Sequence, residues 1–355
     1  MNLLPTDVQR SEDKSWARQP RTPSDYQNLL FGAQRSPKII LIAIVLIGVV
    51  TALVQPRFAT WLNLTNILRA TSPVGIAAAG QTIVLIGGGF DLSIGSIAGL
   101  TGLILAVFLA NGTPVWAAIL LVLLIGVGLG LVNGIIVGVI GINPIIGTLG
   151  TGSVFFGAAV LATKGVPEIY PREELDFLAT KHFGVHPSVF VYMGVLLIMG
   201  VLLHMTIWGA RTYLLGASES AARTSGVPTT QTLMLTYITS GVLASIGGIL
   251  LTVELGSGQP SGGQTWLLPT IAGPIIGGVA VTGGAGTISG AFLGMVLIAE
   301  INSALVFAGY TSFARELALG VAILLAMIVQ ADSIRSIASK SAHNARNLLR
   351  RASEQ

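Results

Sequence analysis

A helix needs about 20 apolar residues to cross a bilayer, and apolar blocks of about that length recur along most of this chain. They predict spans at about Ile39–Gln55, Ile67–Ile86, Leu92–Ala110, Val115–Ile140, Pro144–Thr163, Ser188–Gly209, Gln231–Val253, Trp266–Val281, Thr287–Ala308 and Phe313–Ala331. Pro56 and Arg57 separate the first two blocks, and Asn111-Gly112-Thr113-Pro114 turns the third into the fourth. The longest internal polar stretch, Lys164 to Pro187, follows the fifth block. A second, Ala210 to Thr230, follows the sixth, and a Gly/Ser/Pro segment from Gly256 to Gln264 precedes the eighth. The pattern predicts an all-α fold, a polytopic transmembrane bundle of about ten spans. Its divisions are a polar N-terminal tail (1–38), a membrane domain (39–331) and a basic C-terminal tail (332–355).

Composition supports that pattern. Of 355 residues, 52% are hydrophobic and 10% charged, against roughly 25% charged in an average soluble domain. Glycine is abundant at 45 residues, as expected where helix backbones approach closely. The absence of cysteine excludes disulfides and thiol chemistry. The net charge of +4 is concentrated in the tails and is read as membrane topology, with no nucleic-acid partner. Arg10, Lys14, Arg18, Arg21, Arg35 and Lys38 mark the first tail, and Arg335, Lys340, Arg346, Arg350 and Arg351 the last. Both tails are therefore expected in the cytoplasm, which requires an even number of spans. With Arg211 and Arg223 also inside, thirteen of the 19 Lys and Arg lie inside, and Arg57, Arg69, Lys164, Arg172, Lys181 and Arg315 outside.

The most unusual segment is Gly87-Gly88-Gly89-Phe90-Asp91-Leu92-Ser93-Ile94-Gly95, which places helix-breaking glycines and a carboxylate between two membrane-grade runs. Broken helix at that depth must face protein or a watery cavity. Asp91 or Ser93 can cap the following helix, and the break can also shape a solute passage. Gly277-Gly278 and Thr282-Gly283-Gly284-Ala285-Gly286-Thr287 interrupt the later apolar run comparably, which hints at an internal repeat. Gly126, Gly130, Gly134 and Gly138 form a four-residue stripe, and Gly286, Gly290 and Gly294 repeat it; both read as close-packing seams. Gln81, Asp91, Ser93, Asn133, Glu300 and Asn302 are the polar candidates for a translocation pathway. Glu300 can instead pair with Arg315, and Asn133 can serve an interhelical hydrogen bond.

The loop Tyr213 to Pro228 encodes a short helix, capped by Ser218, favoured by Ala221 and Ala222 and stopped by Gly226 and Pro228. Lying between two spans at the inner face, it can act as a lever for a partner protein or rest as an interfacial helix.

Several elements occur in series: Gly88-Gly89-Phe90-Asp91-Leu92-Ser93-Ile94-Gly95, Leu131-Val132-Asn133-Gly134, Asn143-Pro144-Ile145-Ile146-Gly147-Thr148-Leu149-Gly150, Gly216 to Gly226, and the later glycine run. Together they resemble the inner-membrane permease subunits of bacterial ribose-, xylose- and galactose-type ABC importers, from about the first span to the tenth. Ser218 stands where that family commonly has Asn, and Pro269, Gly273 and Pro274 interrupt the eighth span.

The resemblance implies a second permease copy, a cytoplasmic ATP-binding subunit and a periplasmic solute-binding protein as partners, in the bacterial inner membrane. ATP and magnesium would be used by the partner, with no cofactor on this chain; no Gly-x-x-x-x-Gly-Lys-Ser/Thr phosphate loop occurs. Gly216, Ser218, Glu219, Ala221, Ala222, Arg223, Ser225 and Gly226 would form the ATPase-coupling loop, with Glu219 and Arg223 making peripheral contacts and Ala221, Ala222 and Gly226 fitting the ATPase groove. The alternatives are an ion-coupled secondary transporter using Asp91 and Glu300 and, more remotely, an intramembrane enzyme. His182 and His186 have i, i+4 spacing, but Gly184 and Pro187 spoil the helix that would make them converge on a metal.

Overall fold

A computed structural model describes residues 37–318, 320, 321 and 324. The basic C-terminal tail, nearly all of the N-terminal tail and much of the tenth span lie outside them. The helices are α1 (Pro37–Val54), α2 (Trp61–Ile86), α3 (Ile94–Ala110), α4 (Val115–Gly138), α5 (Pro144–Thr163), α6 (Asp176–Ala179), α7 (Pro187–Met205), α8 (Ile207–Ala217), α9 (Glu219–Thr224), α10 (Thr229–Leu255), α11 (Leu267–Ile276) and α12 (Ile288–Phe307). Two short strands, β1 (Glu168–Ile169) and β2 (Ser257–Gly258), pair antiparallel with Glu168 opposite Gly258. The described chain is thus nearly all-α.

Among the described residues, five helices, α4, α5, α7, α10 and α12, are long and apolar enough to cross a membrane, and 38–54 and α3 are shorter apolar helices. Their outward faces carry Leu53, Leu161, Leu197 and other large exposed apolar side chains, as lipid-facing surfaces do. The 26-residue α2 differs because it is buried over most of its length, from Thr71 through Ile86 with few gaps. A helix surrounded by other helices need not be uniformly apolar, provided its polar groups are satisfied. Thr71, Ser72 and Thr82 donate to the carbonyls of Ile67, Leu68 and Ala78, four residues back.

Small residues let the central helices meet at backbone distance. Gly126, Gly130 and Gly134 of α4 lie against Gly241, Tyr237 and Met234 of α10, where an added Cβ would strike α10 backbone. Gly290 and Gly294 do the same against Gly277, just past α11, and Gly273 of α11. Gly286 precedes α12 and packs on Val279, so it stands outside that helical seam. An apolar core of Ile94, Ile97, Leu103, Phe155, Ala244 and Trp266 fills the space between α3, α5 and α10.

Two expected spans take a different form. In place of Trp266–Val281 stands the ten-residue α11, about 15 Å long and roughly half the hydrocarbon thickness. The chain before it enters the bundle as a non-helical strand lying along α3. Gly258 faces Gly102, Leu103 and Ala106, Pro260 faces Gly99, and Gly263 faces Gly95. Glycines at three successive turns of α3 leave the groove that accepts this backbone. The sixth block, expected at Ser188–Gly209, breaks at Thr206, whose Oγ1 caps α8 by accepting from Gly209 N–H at 3.2 Å.

Candidate functional site

The two glycine breaks close in the same way. At the end of α2, Gly87, Gly88 and Gly89 donate to Ile83, Leu85 and Val84; at the end of α11, Gly277, Gly278 and Val279 donate to Gly273, Ile275 and Pro274, at one constant sequence offset. Gly88 and Gly278 take positive φ, 82° and 90°, which glycine adopts without steric cost at a helix C-terminus. The two glycine breaks thus share one local backbone closure. The second loop is the longer, running from Gly277 to Ile288 against Gly87 to Ile94.

That longer loop reaches the first break. Gly284 N–H donates to Ile86 C=O at 2.8 Å. Gly216, near the end of α8, is wedged at the same point: a side chain there would overlap Ile86 and Gly284, and one on Gly283 would come within 2.8 Å of both Gly216 and Gly88. Tyr213, one turn earlier, donates its hydroxyl to Gly286 C=O at 2.7 Å. Both breaks therefore meet α8 through main chain.

The short α9 follows immediately. Ser218 Oγ accepts from Ala221 N–H at 3.3 Å, and Arg223 donates to Glu219 Oε1 at 2.7 and 3.1 Å. Gly226, at φ 76°, ends the turn, with Val227 N–H donating to Ala222 C=O. Glu219, Ala221, Arg223, Ser225 and Gly226 are exposed. Ala222 is not: only 2% exposed, it is turned toward the rest of the chain. A six-residue helix lying on the protein must bury one side, and Ala222 is on it.

Asp91, Ser93 and Asn133 come together in one buried strut. Asp91 Oδ1 accepts from Ser93 Oγ at 2.6 Å and Ser93 N–H at 3.0 Å, and Oδ2 accepts from Ser240 Oγ at 2.8 Å. Asn133 donates to Ser93 Oγ at 2.7 Å and accepts from Thr151 Oγ1 at 2.6 Å. Thr148 Oγ1 accepts from Leu92 N–H, and Tyr237 donates to Phe90 C=O. The strut joins the first break to α4, α5 and α10. Ser240, Thr151, Thr148 and Tyr237 were not singled out from the sequence; each is an ordinary hydroxyl within a helical run, distinguished only by its distant partner.

The other polar candidates lie apart from it. Gln81 is fully buried in α2, its amide atoms without partners among the described residues. Glu300 is buried on α12 and faces Gly48 of α1; among the described residues no ion pair joins it to Arg315. Asn302 lines a mostly apolar cavity of about 690 Å³ between α2 and α12, with Asn63, Asn66, Arg57 and Arg315 at its polar end. At the start of α7, His186 sits beside Ser188 Oγ at 3.1 Å. Burial, then the charges of Arg69 and Lys181, hold its imidazole below the usual pKa.

Residues 63–331 match the family described as branched-chain amino acid transport system / permease component. The ribose import permease protein RbsC of Bacillus subtilis is 32% identical, over 79% of this chain and 88% of its own length. A probable ABC transporter permease protein, y4mJ, of Sinorhizobium fredii is 34% identical over 84% and 90%. The autoinducer 2 import system permease protein LsrD of Photorhabdus laumondii is 32% identical over 83% and 90%. No solved structure matches the chain significantly.

Proposed function

The chain belongs to the branched-chain amino acid transport system / permease component family, and from that membership we propose that it is the membrane-spanning subunit of a bacterial ABC importer, forming the passage for a monosaccharide or related small polar solute. Relatives named for ribose and autoinducer 2 import support the solute class. In this reading the subunit crosses the inner membrane with α9 at the cytosolic side, beside a second permease copy. A periplasmic binding protein delivers solute, and a cytoplasmic ATP-binding subunit supplies the energy.

One observation carries the mechanism: Gly216, directly ahead of α9, is in backbone contact with both glycine breaks. Closure of the ATP-binding subunit would push α9 through its exposed face. The push reaches the end of α2 and the loop after α11 without intervening flexible side chains. Because packed interfaces switch between discrete arrangements, displacement there would re-pack the glycine seams and change which side of the passage is open. Asp91, Ser93 and Asn133 would hold the first break in register during that movement. An ion-coupled cycle through Asp91 and Glu300 lacks comparable support: Asp91 commits both oxygens to neighbouring groups, and no hydrogen bond connects Glu300 to that strut among the described residues.

The test is Ala221→Trp on the exposed face of α9, in importer reconstituted with its ATP-binding subunit. Uptake should fall by about tenfold or more, roughly the loss of 1.4 kcal/mol of coupling, while thermal unfolding of the permease is unchanged. Normal uptake would remove α9 as the docking element.

A further inference from the structure

We propose that the solute rests, on its way through this chain, in a small cavity between α3, α5 and the segment just before α11, where Ser96, Ser153 and Gln264 meet its hydroxyls and Phe156 meets a C–H face. This inference rests on the importer reading and gives it a location. The cavity measures about 130 Å³, roughly ten times the ~10–15 Å³ that admits one water. That space suits a ligand on the scale of a monosaccharide.

The lining is suited to an uncharged polyol. Its ten residues include no Asp, Glu, Lys, Arg or His, so nothing there repays the desolvation of an ion. Ser96 is 8% exposed and accepts from Gln264 Nε2 only at 3.4 Å, a weak bond that a sugar hydroxyl can displace. Ser153 donates to Leu149 C=O at 3.0 Å, which leaves its oxygen able to accept. Phe156 supplies an apolar ring beside these polar groups. Amide, hydroxyl and aromatic surface together are complementary to a sugar, whose ring carries hydroxyls on its edge and C–H bonds on its faces.

The surroundings keep this space open and fixed. Gly95 and Gly263 touch through backbone, and Gly152 packs on Ser93 Cα. A side chain at Gly95 or Gly263 would collide with the other's backbone, and one at Gly152 would crowd Ser93. Through Ser93 the wall is anchored to Asp91 and Asn133, so the buried strut positions the cavity without contacting solute. Gln264 and Ser153 are exposed on the described chain; polar groups at membrane depth belong beside water or protein, not lipid.

The assembled importer, with its ATP-binding subunit and solute-binding protein in proteoliposomes, provides the test. The natural chain has no cysteine, so Ser153→Cys introduces a unique thiol in the permease. A water-soluble thiol reagent should label it, and D-ribose, D-xylose or D-galactose should slow labelling by about tenfold; Glu173→Cys, exposed in the polar stretch after the same helix, should be labelled at a rate no sugar changes. Gln264→Leu should raise the sugar concentration for half-maximal uptake by about tenfold, with Gln264→Asn as the variant to use if Leu prevents assembly. Sugar uptake by the unsubstituted importer combined with Ser153→Cys labelling that no sugar slows, or with Gln264 variants of unchanged half-saturation, overturns the cavity and leaves the importer reading intact. An unsubstituted importer that hydrolyses ATP but carries none of these sugars overturns the monosaccharide reading and the cavity with it.

Discussion

Gly284 N–H donates to Ile86 C=O across 2.8 Å, tying the loop between α11 and α12 to the last turn of α2. A helix end and a loop far apart in sequence are thereby held by main chain alone, with Gly216 fitted against the same pair. Contacts of this kind leave no room for a methyl group.

Gly216→Ala should therefore be among the most damaging single-carbon changes in the chain. Its Cβ would collide with Ile86 and Gly284, and overpacking of this sort costs about 1–3 kcal/mol. Thermal unfolding in detergent should show the loss, and Gly150→Ala, which has open space around it, should show none.

The Asp91 strut predicts a graded series. Ser240→Ala removes one donor and should cost about 0.5–1.5 kcal/mol. Asp91→Ala strands the hydroxyls of Ser93 and Ser240 and should cost roughly 1–3 kcal/mol for each group left unpaired, with Asp91→Asn between the two. Equal unfolding temperatures across the series would show that the strut does not stabilise the bundle.

His186 gives a pH dependence. Its folded-state pKa is lowered by burial and by Arg69 and Lys181, so the unfolded chain binds the proton more readily. Stability should be level above about pH 6.5, the ordinary histidine value, and should decline as pH falls below it, levelling again once the folded state also protonates. Melting curves between pH 5 and 8 should lose part of that slope in His186→Gln.

Ser218 caps α9 with a long 3.3 Å bond. Ser218→Ala should loosen this short helix by about 0.5–2 kcal/mol, whereas Ser218→Asn, an equally good cap, should leave it intact. Hydrogen exchange at the α9 amides reports the difference directly.

The long helices were legible because lipid imposes length and polarity on them: α5 runs from Pro144 to Thr163, bounded in the sequence by Asn143-Pro144 and by the onset of polar residues at Lys164. α11 was not, because the apolar run of Trp266–Val281 continues past the end of the helix at Ile276 and through the Gly277-Gly278 break, and the close approach of Gly277 to Gly290 that accompanies this break is a tertiary contact. The site divides similarly. Asp91 is conspicuous as a charge in an apolar setting, and the four-residue glycine period on α4 is visible by eye. The partners are not: nothing local to Ser240 or Thr151 reveals that they converge on Asp91 and Asn133. Nor does the α9 sequence reveal which of its two adjacent alanines is turned inward.

The unequal loops after the two matching helix closures make the two breaks inequivalent toward α8. The longer one carries Gly283 and Gly284 to the point where α8 arrives, and the shorter meets it at Ile86 and Gly88. A pull on α8 would therefore load both closures together, one at its helix end and the other partway along its loop.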